Sequence, residues 1–212
     1  MAKKRQTKKN QPWNKGLDVG QRPALSLPQV TRIKKSLTKR GDAGLRDFAL
    51  FSTAVDTMLR GPDLLQLTVK DVRMRNHSMR NTIELDTAKY GQSVQCILSK
   101  STLNVLDKWI RYSEKKPNDY LFTGRVGGGL TPMSTRQLNR LVNTWVEGIG
   151  LDPSLYGAES LRRTRAIYIL NETGNMEAVR LMLGLADIRA TARYLSDAKP
   201  VDTLGINRAH QI

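Results

Sequence analysis

Cysteine and histidine are almost missing from this chain: one Cys (Cys96) and two His (His77 and His210) in 212 residues. A lone thiol excludes an intramolecular disulfide and points to a reducing, cytoplasmic setting. Two histidines far apart, with one cysteine, give no metal-ligand spacing, so neither a metal nor another cofactor is expected. Aromatic residues are 6% of the chain, and no strand-like segment carries the aromatic cluster on which RNA-binding sheets stack bases. No run of 18 or more apolar residues occurs, so no membrane-spanning helix is expected. The lysine-rich N-terminus lacks the apolar stretch of a secretory signal.

Acidic residues are missing from one end. Residues 1–40 hold 12 Lys or Arg and a single acid, Asp18, which concentrates +11 of the net +16 there. A basic arm on a nearly balanced body fits a polyanionic partner, most simply double-stranded DNA. Lys3, Lys4, Arg5, Lys8 and Lys9 are the first candidates for phosphate contacts, and such binding weakens steeply with salt. A solubilising tail or a ribosome-associated basic protein are the alternatives. Trp13, alone in this arm, either docks on the body or stacks on a base.

Three segments follow from composition: a disordered basic arm over 1–24, a folded body over 25–196, and a tail over 197–212. Ser26 and Pro28 open a helix, and Val30, Ile33 and Leu37 give it one apolar face. A strongly apolar helix runs from about Gly44 to Leu59, ahead of the Gly61-Pro62 break. The period then shortens to two. Leu67–Met74, Asn81–Asp86 and Ser93–Leu98 read as three short strands, with Lys89–Gln92 as a hairpin turn. Helices resume near Thr102, Ser134 and Ser160. Asn175 and Asp187 cap the last two, and Gly174 and Gly184 act as stops. The expected fold is therefore α+β and mostly helical, with a small three-stranded antiparallel sheet. The Gly127–Gly129 run lacks the Lys and Ser/Thr of a phosphate loop and reads as a plain loop.

Taken singly, the polar candidates have ordinary readings. Arg60 ends an apolar helix, where arginine meets the helix dipole. Lys89 sits on a turn, where lysine is usually solvated. Tyr194, with an apolar body and a polar tip, suits a half-buried helix position. Arg162, Arg163 and Arg165 in Ser160-Leu-Arg-Arg-Thr-Arg offer bidentate grips for phosphate.

Their order carries more. Arg60 at a helix end, Lys89 on a hairpin, Arg162 in Leu-Arg-Arg-Thr and Tyr194 in Ala192-Arg-Tyr-Leu together resemble the tyrosine recombinases, or phage integrases. The resemblance spans about residues 25–200. It extends to Leu59-Arg60-Gly61 with Asp63-Leu64, Ser134-Thr-Arg-Gln-Leu, Gly148-Ile-Gly-Leu-Asp-Pro, Thr173-Gly-Asn and Leu183-Gly. It is strongest for a compact subgroup consisting of the catalytic domain, with the short basic arm in place of a separate core-binding domain. Two positions depart from the family pattern: Glu159 and Leu185 stand where the family has histidines.

The resemblance implies site-specific strand exchange on DNA, as in the integration of mobile elements, with the protein cytoplasmic and nucleoid-associated. Tyr194 would attack a phosphodiester, giving a 3′-phosphotyrosyl link and a free 5′-hydroxyl. Arg60 and Arg162 would clamp the non-bridging oxygens, and Lys89 would protonate the leaving oxygen. Arg163 and Arg165 would join the arm lysines in binding DNA. Self-association on DNA, with tails exchanged between subunits, also follows. Leu185 handles no proton. Glu159 either serves as a base, donates a hydrogen bond when protonated, or pairs with an arginine and repels the phosphate. A like charge at ~4 Å and an effective dielectric near 20 costs roughly 4 kcal/mol, about a thousandfold in rate. The alternative function is a non-catalytic DNA-binding accessory factor that kept the fold.

Overall fold

A computed structural model of the protein describes residues 21–87, 92–124 and 130–196. Its elements are α1 (Leu27–Thr38), α2 (Asp42–Thr57), α3 (Gly61–Gln66), α4 (Val69–Val72), β1 (Thr82–Thr87), β2 (Gln92–Ile97), α5 (Lys100–Tyr112), α6 (Thr135–Glu147), a 3-10 turn at Pro153–Leu155, α7 (Ala158–Thr173), α8 (Met176–Leu183) and α9 (Ile188–Ser196). Five of these helix starts, those of α1, α5, α6, α8 and α9, follow local capping chemistry. Ser26 and Gln29 form a reciprocal capping box on α1. Ser99, Ser134 and Asn175 each accept from a first-turn amide of α5, α6 and α8, and Asp187 accepts from the Ala190 amide at 2.7 Å. Each bond satisfies a donor that a helix start leaves unpaired.

Helix α2 is central. Eleven of its 16 residues are buried, so several neighbours must cover it, and it packs on α1, α5, α7 and β2. Its buried hydroxyls are satisfied within the helix: Thr53 donates to the Ala49 carbonyl and Thr57 to the Thr53 carbonyl, each at 2.8 Å. Buried Asp47 pairs with Arg46 at 2.8 Å and accepts from the Trp145 indole at 3.3 Å. Trp145 in turn meets Phe51 edge-on, with ring centroids 5.6 Å apart. This cluster fastens α6 to α2 inside the main core.

A second, smaller core lies beside the main one. Met58, Ala166, Val179, Leu183 and Leu195 are its buried members, with Leu185 and Tyr194 packed against it. It joins the end of α2 to α7, α8 and α9.

The sheet differs from expectation. Two antiparallel strands pair, Thr82 opposite Ile97 through Thr87 opposite Gln92, and a third strand over Leu67–Met74 does not form. Local hydrogen bonding overrides the period-two pattern there. The Asp71 carboxylate accepts from both the amide and hydroxyl of Thr68 at 2.7 Å, closing a capping box that starts α4. What remains of strand character is two isolated bridges, Thr68 with Tyr120 and Arg73 with Met79.

Candidate active site

The end of α2 sets the position of Arg60. The helix closes at Thr57 rather than Leu59. Met58 then takes a left-handed conformation (φ 51°) and is 2% exposed. Three bonds fix this end. The Cys96 thiol donates to the Thr57 carbonyl at 3.2 Å, the Thr57 hydroxyl accepts from the Leu59 amide at 3.4 Å, and Asp56 accepts from the Ser99 amide at 2.8 Å. Arg60 is consequently the N-cap of α3, with extended backbone, and not the last residue of an apolar helix. Burial pushes the Cys96 thiol up to about 12, with nearby Arg162 acting weakly the other way, so it stays protonated at neutral pH.

Arg162 comes from the first half of α7. The Asn139 side chain accepts from the Ala158 amide at 2.9 Å, and Ser160 accepts from the Gly157 amide at 3.3 Å, which seats the helix start. Arg162 is 5% exposed. One of its Nη atoms donates to the Leu183 carbonyl at 2.6 Å, satisfying an acceptor at the end of α8. The following turn needs glycine. Gly184 has φ 60°, and a Cβ there would lie 3.0 Å from Val94 Cγ2, so the α8–α9 connection lies flush on β2. Arg60 and Arg162, 102 positions apart in sequence, line one small cleft together with Met58, Asp63, Val94 and Leu183.

Tyr194 lies on α9 against α7. The Arg162 guanidinium carbon stands 5.9 Å from its ring centroid and that of Arg163 4.7 Å, within cation–π range. The Tyr194 hydroxyl is buried, with no well-formed hydrogen bond among the described residues. The Glu159 carboxylate nevertheless lies near enough to act on it. Burial first, and then Glu159, hold the phenol well above its usual range, and the attraction of Arg162 and Arg163 only partly offsets them. Leu185, after Gly184, contributes an apolar side chain to the small core beside Tyr194.

The structure thus gathers Arg60, Glu159, Arg162, Leu185 and Tyr194. Lys89, the arm residues Lys3, Lys4, Arg5, Lys8, Lys9 and Trp13, the Gly127–Gly129 run and the 197–212 tail lie outside the described residues. Arg165 is half-buried, its guanidinium 5.4 Å from the Tyr168 ring. Arg163, read from sequence as a DNA contact, is turned inward at 2% exposure. It donates to the Arg22 carbonyl and to Gln21 Oε1. Five successive residues from Ser160 to Thr164 are buried, so α7 is covered on several sides here, and no pattern in the sequence signals it.

The chain is similar to several known proteins. The Phage integrase family profile matches residues 24–200. Tyrosine recombinase XerC of Alcanivorax borkumensis is 27% identical over 176 residues, covering 81% of this chain and 54% of that protein. The probable integrase/recombinase YoeC of Bacillus subtilis is 24% identical over 173 residues, covering 82% and 88%. The chain therefore spans about half the length of the first relative and most of the second. Among solved structures, XerA recombinase superposes with a TM-score of 0.68 at 20% identity, over 91% of this chain and 64% of that one. XerH site-specific recombinase bound to its difH substrate gives 0.67 at 21%, over 92% and 56%. With the family profile running through nearly all of the folded body, the chain belongs to the phage integrase family, the tyrosine recombinases.

Proposed function

We propose that the chain breaks and rejoins duplex DNA, with Tyr194 as nucleophile and a 3′-phosphotyrosyl intermediate. The observation that carries this reading is one cleft holding Arg60 and Arg162, with the Tyr194 ring 5.9 Å from the Arg162 guanidinium. A phosphodiester in that cleft meets two guanidiniums where charge builds in the transition state. The phenol gives up its proton to solvent, its oxygen attacks phosphorus, the bond to the 5′-oxygen breaks, and that oxygen takes a proton from Lys89. The reverse step, with a 5′-hydroxyl from a partner duplex, restores the backbone and needs no external energy.

Glu159 and Leu185 slow this chemistry. Neither supplies the cationic or neutral donor that a histidine would. The Glu159 charge opposes both the phosphate and the phenolate, so turnover is slow at neutral pH. The arm lysines and Arg165 bind the flanking phosphates, and copies of the chain assemble on DNA. Arg163 leaves the DNA-binding set, because its guanidinium faces the interior.

A nicked suicide duplex, which traps the covalent intermediate, tests the proposal. Wild-type protein is expected to form an SDS-resistant adduct over hours, and Tyr194→Phe none. Salt-sensitive DNA binding without an adduct at high protein concentration would overturn the catalytic reading in favour of a DNA-binding accessory factor.

A further inference from the structure

Arg163 is the least exposed charged side chain among the described residues, at 2%, yet no carboxylate there pairs with it. A buried guanidinium without a counter-ion is costly. Its satisfied donors go to the Arg22 carbonyl and Gln21 Oε1, and its Nε is buried with no partner. Its guanidinium carbon lies over the Tyr194 ring, 4.7 Å from the ring centroid.

The short segment before α1 holds this group in place. Gln21 touches both sides of the site: Oε1 accepts from Arg163 on α7, and Nε2 donates to the Arg193 carbonyl on α9 at 2.9 Å. Arg22 reaches the Tyr156 and Ser154 carbonyls, and the Leu25 amide donates to the Thr164 hydroxyl at 2.9 Å. Residues 21–25 therefore lie across α7, with one side chain bonded to the residue next to the nucleophile.

We propose that Arg163 is a positioning residue for Tyr194, locked by Gln21 and Arg22, which fixes the ring and supplies the buried positive charge that a phenolate requires. The proposal rests on Tyr194 being the nucleophile. It explains why an arginine is kept inside without an acid: the missing anion is the one that forms on the neighbouring phenol during reaction. The charged groups facing the ring are Glu159, Arg162 and Arg163 from α7. Arg180 of α8 is committed to Glu177 and the Leu185 carbonyl, and Arg22 to the carbonyls above.

The test places 3,5-difluorotyrosine, whose phenol ionises near neutral pH, at position 194 of the full chain and follows it by fluorine NMR. Arg163→Met is expected to raise its titration midpoint by about one pH unit, a tenfold loss of phenolate. Arg163→Lys restores most of the shift, and Gln21→Ala gives a smaller rise. With natural Tyr194, Arg163→Met slows adduct formation about tenfold at neutral pH, the loss shrinks as pH rises, and duplex affinity stays within about twofold because the group faces inward. An unchanged fluorine midpoint overturns the proposal. So does a fall in DNA affinity that matches the fall in rate, since Arg163 would then be a phosphate contact. If wild-type protein forms no adduct, the proposed function fails, and the fluorine titration still decides the role of Arg163. Should Arg163→Met not fold, Gln21→Ala, which removes a partner of Arg163 and keeps the charge, carries the comparison, and an unchanged midpoint there overturns the proposal.

Discussion

The main core and the small core are built to different standards. The main core closes around α2 with interlocked aromatic, aliphatic and ion-paired groups: Phe51, Trp145 and Asp47 meet in one place. The small core has five buried residues and must be shared by α7, α8 and α9. Yet the small core seats Tyr194, the proposed nucleophile, while the main core supplies Arg60 through the end of α2. The difference teaches how a site can be both accurate and yielding. One half is anchored in a large packed volume, and the other rides on elements with little apolar area to hold them.

The sharpest break of this comparison is at Tyr194. Tyr194→Phe should abolish the covalent adduct, a loss of at least about 10⁴-fold for a nucleophile. It should leave the melting temperature unchanged or slightly higher, because the deleted hydroxyl is buried without a good partner. Next in size, Phe51→Ala in the main core should cost about 3–5 kcal/mol, read as a lower melting temperature of the whole chain. Glu159→His should then raise adduct yield at neutral pH by about tenfold or more, up to the roughly thousandfold that a relieved like-charge contact allows; no change would mean that Glu159 is not the obstacle. Leu195→Ala, in the small core, should cost about 2 kcal/mol but locally. Amide exchange in α9 should accelerate while α2 keeps its protection.

The smallest effect is alkaline. Cys96 has its thiol raised from 9.0 to about 12 in the folded chain. The unfolded chain therefore ionises first, and folding stability contributed by the neutral thiol is whole below about pH 9. It falls as pH rises towards 12. Iodoacetamide at pH 8 should accordingly label Cys96 only as fast as the end of α2 opens.

Local chemistry in the sequence placed the helices well. Ser26, Asn175 and Asp187 cap where expected, and Gly174 and Gly184 stop where expected, because a cap depends on neighbours within four residues. The third strand failed for the same reason: a Thr68–Asp71 capping box is invisible to an apolar/polar period. Gathering Arg60, Arg162 and Tyr194 was legible only through the order of residues resembling a family. The inward turn of Arg163 was not legible, because Arg162 and Arg163 are adjacent on one helix and only its neighbours decide which faces are covered. Gln21 lay inside what composition marks as a disordered arm, and its two bonds span 142 and 172 positions of sequence, beyond any local pattern.

Met58 has a consequence of its own. A side chain in the left-handed region costs about 1–2 kcal/mol, and here it is held there while buried in the small core. Two residues later the chain presents Arg60. The joint that aims one guanidinium is thus kept tense by the same cluster that carries the tyrosine. Loosening α8 and α9 would remove the packing that holds Met58 in its left-handed turn, so the position of Arg60 is expected to slacken together with that of Tyr194. A site assembled in this way couples its two halves through one small core.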